Sequence, residues 1–224
     1  MLINVDYALF HWINELANSL AFLNGTMLFL AQYAPYLFGV ALLIYWFTFK
    51  MPHRMMVLEA VITVCIGFVI SWGLGHLFYR DRPFVGHSVI QLIHHDPNAS
   101  FPSNHALGSF ALATILWLHH QKFRVLWVIL AVLIAVSRVW TGVHYPSDIS
   151  AGALIGAVCA VGVHHFIRSR KLPGIFMQAA IIFYEKWEQK LGLKPGEQAR
   201  TKMTEHTRTK MTEHTSSVQM KSRR

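Results

Sequence analysis

The chain has 224 residues, 54% of them hydrophobic and 14% charged, with a formal net charge of +9. That balance excludes an ordinary water-soluble domain and fits one membrane-embedded domain with a polar tail. The positive excess is local, since ten of the twenty Lys and Arg fall in residues 186–224, and no nucleic-acid-binding motif accompanies it.

Residues 3–18 alternate in helical rhythm, with Ile3, Tyr7, Phe10, Ile13 and Leu16 set against Asn4, Asp6, Asn14 and Glu15. Residues 1–26 are therefore read as an amphipathic helix at a membrane surface. Five apolar stretches follow, at 27–49, 57–79, 105–120, 125–142 and 149–167. Each approaches the roughly 20 residues that cross a bilayer. They predict an all-α, polytopic membrane bundle over residues 27–170, with about five to six transmembrane helices. Gly152, Gly156 and Ala160 recur at every fourth position of the fifth stretch, a pattern that suits close helix packing. Residues 171–193 are again amphipathic and read as interfacial. Residues 194–224 contain RTKMTEHT twice without an apolar period, which predicts a disordered, basic cytoplasmic tail. No cleavable leader is expected. Cys65 and Cys159 lie in apolar runs and read as small buried residues.

Charge sets the expected orientation. Lys50, His53 and Arg54 follow the first stretch, Lys122 and Arg124 separate the third and fourth, and Arg168, Arg170 and Lys171 follow the fifth. Five spans put all three clusters on one side, which the positive-inside bias marks as cytoplasmic. The opposite side receives the 80–104 loop and the 143–148 turn.

Those two places hold the reactive residues. Arg80-Asp81-Arg82-Pro83 follows the second stretch, and Phe101-Pro102-Ser103-Asn104-His105 opens the third. Ser137-Arg138, His144 and Asp148 bridge the fourth and fifth. A helix starting near Ser103 or Asn104 offers free backbone N–H groups to an anion. Arg82 and Arg138 add planar forks that match phosphate oxygens. A carboxylate at Asp148 can fold back on the Nδ1 hydrogen of His144 and leave Nε2 free to attack. His105 supplies a second imidazole, able to give a proton to a leaving oxygen. The adjacent pairs His94-His95, His119-His120 and His164-His165 read as interfacial anchors, and no metal or cofactor is called for.

The three clusters together resemble the signature of the type-2 phosphatidic acid phosphatase family, also called lipid phosphate phosphatases. That signature has three parts: Lys, six residues, Arg-Pro; then Pro-Ser-Gly-His; then Ser-Arg, five residues, His, three residues, Asp. The third part is complete here at Ser137, Arg138, His144 and Asp148. The second matches at Pro102, Ser103 and His105, with Asn104 in place of glycine. The first matches at Arg82-Pro83, with Gly75 at the lysine position. The resemblance covers about residues 55–165. It implies His144 as a nucleophile forming a phosphohistidine, Asp148 as its orienting acid and His105 as the general acid. It also implies Arg82, Arg138 and Ser103 as holders of the phosphoryl oxygens, and the fold shared with vanadium haloperoxidases.

Asn104 is open to two uses, bonding a phosphate oxygen or capping its helix. Arg80 or His76 are candidates to replace the missing lysine, and His87 is a candidate substrate contact. FYRDRPFVGH and FPSNH are most similar to the bacterial undecaprenyl-diphosphatase branch. That branch implies a polyprenyl diphosphate substrate, bacitracin resistance, and a bacterial plasma-membrane location with an extracytoplasmic site. The alternatives are a phosphatase of phosphatidate or phosphatidylglycerophosphate, and a non-catalytic permease or lipid-binding subunit.

Overall fold

The structure is a computed structural model that describes residues 2–48 and 50–190. The expected tail at 194–224 lies outside the described residues. Among them all regular structure is helical. The elements are α1 (Leu2–Ser19), a 3-10 turn (Ala21–Leu23), α2 (Asn24–Gln32), α3 (Ala34–Trp46) and α4 (Met51–Leu77). They continue with α5 (Pro83–Gly86), α6 (Asn104–Leu118), α7 (Arg124–Trp140), α8 (Pro146–Ser169) and α9 (Lys171–Lys190). Met1–Ile175 form one compact unit, and the rest of α9 belongs to a second.

The first expected span is in fact α2 and α3, which meet at 45°. Pro35 at the start of α3 explains the break, because proline cannot donate to the preceding turn and clashes with it. The count of five to six spans is only loosely met. α4 and α8 are long and apolar enough to cross a membrane, and the bent pair makes a third. α6, with 15 residues, and α7, with 17, fall short of a full crossing. Both end where the chain turns into polar loops.

α6 lies at the centre, packed on α4, α7 and α8. Phe38, Met56, Ile115, Leu116 and Ile134 fill the main core. Val61, Val69, Leu126, Leu133, Leu154 and Val158 point outward, an exposed apolar belt of the kind a lipid solvent covers. The α6–α8 contact is exceptionally close. A Cβ at Gly152 would stand 2.5 Å from the Ser103 carbonyl oxygen, and one at Gly156 would stand 2.3 Å from that of Leu107. Both obstacles are backbone, so neither can yield cheaply. Gly156→Ala is therefore expected to destabilise the protein by about 1–3 kcal/mol, as overpacking does. Thermal unfolding in detergent checks this, and an unchanged midpoint would refute the backbone contact.

Three expectations need correction. α1 does not turn its polar side wholly outward. Phe10, Asn14 and Ala17 are buried, while Val5, Leu9 and Trp12 are exposed. The Asn14 amide spans two segments, donating to the carbonyls of Ile90 and Trp140 and accepting from the Ile90 N–H. His119 and His164 are not simple interfacial anchors, because both turn onto the buried carboxylate of Glu59. Cys65 is exposed rather than buried, and Cys159 is partly buried; both are free.

Candidate active site

The site forms where α4 ends and where α6 and α8 begin. α8 starts at Pro146, whose fixed φ suits a first helical turn, so Asp148 sits in that turn with His144 just ahead of it. The Asp148 carboxylate Oδ2 accepts the Tyr145 backbone N–H at 2.9 Å and the Ser100 hydroxyl at 2.5 Å. It stands 3.6 Å from Nδ1 of His144, and Ser100 Oγ is 3.4 Å from the same nitrogen. On the other side of the ring, Nη1 of Arg82 is 3.1 Å from Nε2. A guanidinium can only donate, so Nε2 carries the lone pair and Nδ1 the hydrogen. Nε2 thus faces the cation, and the Asp148 carboxylate lies behind the ring.

Arg82 is itself fixed. It donates from Nε and Nη2 to Asn98 Oδ1 at 3.0 and 2.8 Å, and from Nη1 to the Val143 carbonyl at 2.9 Å. Burial lowers its pKa to about 10, which leaves it charged at neutral pH. Burial also pushes the His144 imidazole down to about 4; its link to Asp148 opposes the shift, and Arg82 and Arg138 reinforce it. His144 is therefore neutral at pH 7, with a lone pair on Nε2.

The sign of the linkage follows. The unfolded chain takes up the proton near pH 6.5 and the folded one only near 4, so stability falls as pH drops through that window. Wild type is expected to lose about 2 kcal/mol more than His144→Gln between pH 7 and 5. Melts at the two pH values test this; parallel losses in both proteins would refute it.

Arg82, Asn104, His105, His144, Gly75 and His76 line one cavity of about 660 Å³. Ser103, Arg138 and Asp148 are buried behind this surface and do not line it. Among the described residues only three buried side-chain polar atoms lack a hydrogen-bond partner, and two are Ser103 Oγ and Arg138 Nε. The Nη1 of Arg138 donates to the Ala31 carbonyl at 3.2 Å. Asn104 does not act as the cap of α6. Ser103 takes the N-cap position, and the Asn104 Oδ1 accepts from Ser71 at 2.6 Å. A smaller, mostly apolar cavity of about 250 Å³ shares Phe68, Asn104 and His105 with the first and continues toward Pro35, Phe38 and Leu112.

Three residues take places other than those expected. Arg80 is turned away from the cavity and cannot stand in for the missing lysine there. It donates to Asp148 Oδ1 at 3.1 Å, to Asp6 at 2.7 Å and to Ser147 at 2.6 Å, and its guanidinium lies 3.6 Å from the Tyr145 ring. His87 stacks on Tyr7, with centroids 4.1 Å apart, also outside the cavity. His76 lines the cavity, but its Nδ1 lies 2.8 Å from the Trp72 carbonyl of its own helix. His95, read as an anchor, lines the cavity with its ring 6.5 Å from that of His144.

Residues 56–172 match the PAP2 superfamily. The chain belongs to this superfamily. It is 36% identical over 190 residues to the bacitracin transport permease protein BcrC of Bacillus licheniformis, covering 84% of this chain and 91% of that one. It is 34% identical over 194 residues to undecaprenyl-diphosphatase BcrC of Bacillus subtilis, covering 87% and 99%. The crystal structure of Aquifex aeolicus LpxE superposes with a TM-score of 0.60 at 28% identity, covering 70% of this chain and 93% of that chain. All three parts of the PAP2-type signature thus lie within the matched region.

Sequence reasoning missed Ser100, Asn98 and Asp6. Ser100 and Asn98 sit in a loop without periodicity, where residue type gives no cue. Asp6 lies 74 positions from the Arg80 it binds. Its only signal is an acid at the start of an amphipathic helix.

Proposed function

We propose that this protein hydrolyses undecaprenyl diphosphate to undecaprenyl phosphate and inorganic phosphate, through a phosphohistidine at His144. The observation that carries the reading is the His144 ring, held between Asp148 and Arg82 at the wall of a cavity that His105 also lines. The similarity to undecaprenyl-diphosphatase BcrC of Bacillus subtilis, and to a putative undecaprenyl-diphosphatase of Escherichia coli, supports the choice of lipid. The apolar cavity next to His105 offers a bed for the first isoprenyl units.

In the first step Nε2 of His144 attacks the terminal phosphorus. The bond from phosphorus to the bridging oxygen breaks, and the oxygen takes the electron pair and a proton from His105. Burial, reinforced by Arg138 and Arg82, holds the His105 imidazole down at about 3 in the protein alone, so the negative charge of the bound diphosphate must first raise it for this transfer. Arg82 moves from Nε2 onto the phosphoryl oxygens, and the cavity wall opens so that Ser103 Oγ and Arg138 Nε, buried behind it and unpartnered in the protein alone, gain acceptors. Asp148, held by Ser100, Arg80 and the Tyr145 N–H, stabilises the charge that develops on the ring. In the second step water attacks phosphorus, its proton passes to His105, and the P–N bond breaks to release phosphate.

The site faces the extracytoplasmic side of a bacterial plasma membrane in this reading. The basic clusters near Lys50, Lys122 and Arg168 lie at the helix ends away from the cavity, which supports it. In this reading α1 rests at the membrane interface. Recycling the lipid carrier removes the diphosphate form and so confers bacitracin resistance.

The test is phosphate release by purified protein in detergent with EDTA, offering undecaprenyl diphosphate, phosphatidate and phosphatidylglycerophosphate together. The diphosphate is expected to be consumed first. Preference for either phospholipid would reassign the substrate, and no release from any would favour a permease or binding subunit.

A further inference from the structure

At the end of the bundle opposite the phosphate cavity, one carboxylate and two imidazoles from three different helices converge. Glu59 of α4 is 3% exposed and is the only acid in that helix. Its Oε2 lies 2.9 Å from Nε2 of His119, at the end of α6, and its Oε1 lies 2.7 Å from Nδ1 of His164 in α8. All candidate donor atoms fall within 4.8 Å of one another, the one such cluster among the described residues. About 21 Å of helix separates His119 from His105, and about 24 Å separates His164 from Asp148. The cluster is therefore not part of the phosphate site.

We propose that Glu59, His119 and His164 bind a divalent transition-metal ion of the zinc class. An acid buried inside a membrane helix needs a compensating partner, and two neutral imidazoles with one carboxylate form a recognised zinc donor set. Three protein donors leave a fourth position for water. The present separations are hydrogen-bond lengths. Tetrahedral zinc places its ligand atoms about 3.4 Å apart, so the two carboxylate–imidazole pairs must open by about half an ångström or slightly more. The two histidines are the mobile partners, since their side chains keep 21% and 13% of their exposure while that of Glu59 keeps 4%. The same exposure gives the ion an entry. Arg168 Nη1 lies 3.4 Å from Nε2 of His164, and it must swing toward solvent when that nitrogen carries the proton. The ion would tie together α4, α6 and α8, the helices that build the catalytic end, without touching the chemistry there.

The proposal stands independently of the phosphatase reading. Its test uses the full chain in detergent, stripped with EDTA, freed of chelator and equilibrated with micromolar Zn2+. Bound metal per chain is then measured in wild type, Glu59→Gln, His164→Asn and His144→Gln. Because other histidines bind zinc weakly, the quantity read is a difference. Glu59→Gln and His164→Asn should each bind about one equivalent less than wild type, and His144→Gln should bind the same. Co2+ in wild type should give an intense tetrahedral visible spectrum that both cluster variants lose. Equal stoichiometry in wild type and both cluster variants would overturn the proposal. If the variants fail to fold, wild type alone decides: Zn2+ must raise its unfolding midpoint and Mg2+ must not, and equal or absent shifts refute the site.

Discussion

Replacing His144 by alanine or glutamine should lower phosphate release on the order of 10³-fold or more. His144 lines the cavity, and Arg82 marks its Nε2 as the unprotonated nitrogen, the form the proposed attack requires. Rapid quenching of wild type with radiolabelled substrate should trap an acid-labile phosphoenzyme that His144→Gln lacks. Retention of more than a few per cent of activity in His144→Ala would end the covalent mechanism. Glutamine is the more informative replacement, because it keeps a polar group beside Arg82 and limits the damage from an unpaired buried cation.

The second large effect is expected at His105. His105→Ala should slow turnover of a lipid diphosphate about 10²–10⁴-fold, the usual worth of a positioned acid. An aryl phosphate, whose leaving oxygen departs with little protonation, should lose far less at the first step. The comparison separates the two imidazoles: loss of the nucleophile harms both substrates alike, and loss of the acid harms them unequally. Equal losses on both substrates would remove His105 from the acid role.

How far these residues were legible depended on how local their geometry is. Ser137, Arg138, His144 and Asp148 lie on one helix end, one turn and the next helix start, so spacing along the chain nearly determines spacing in space. Arg82 and His105 flank helix termini that apolar length and proline already mark. Helix limits were foreseen within three residues for α6, α7 and α8 for the same reason, whereas α4 starts at Met51, ahead of the expected 57. The misplaced Arg80, Asn14, His119 and His164 have partners distant in sequence. Arg80 looked like a phosphate contact because it is a cation beside the motif, yet Asp6 and Asp148 hold it on the far side of α8's first turn. The period of α1 gave two faces but not which one meets protein, since Asn14 finds backbone partners that only the fold supplies. His119 and His164 were judged against their sequence neighbours, whereas their true partner, Glu59, is 60 and 105 positions away.

The glycines of α8 have a consequence for how this enzyme can be altered. Backbone lies against backbone where α6 meets α8, so the spacing of the two helices that open at His105 and just after His144 is set by main chain that no side-chain exchange can relax. That spacing is fixed by main chain, while the wall of the smaller cavity around Val64 and Leu112 is built from side chains. Retuning which lipid tail is admitted is therefore a task for that wall, and it can proceed without re-aiming the chemistry.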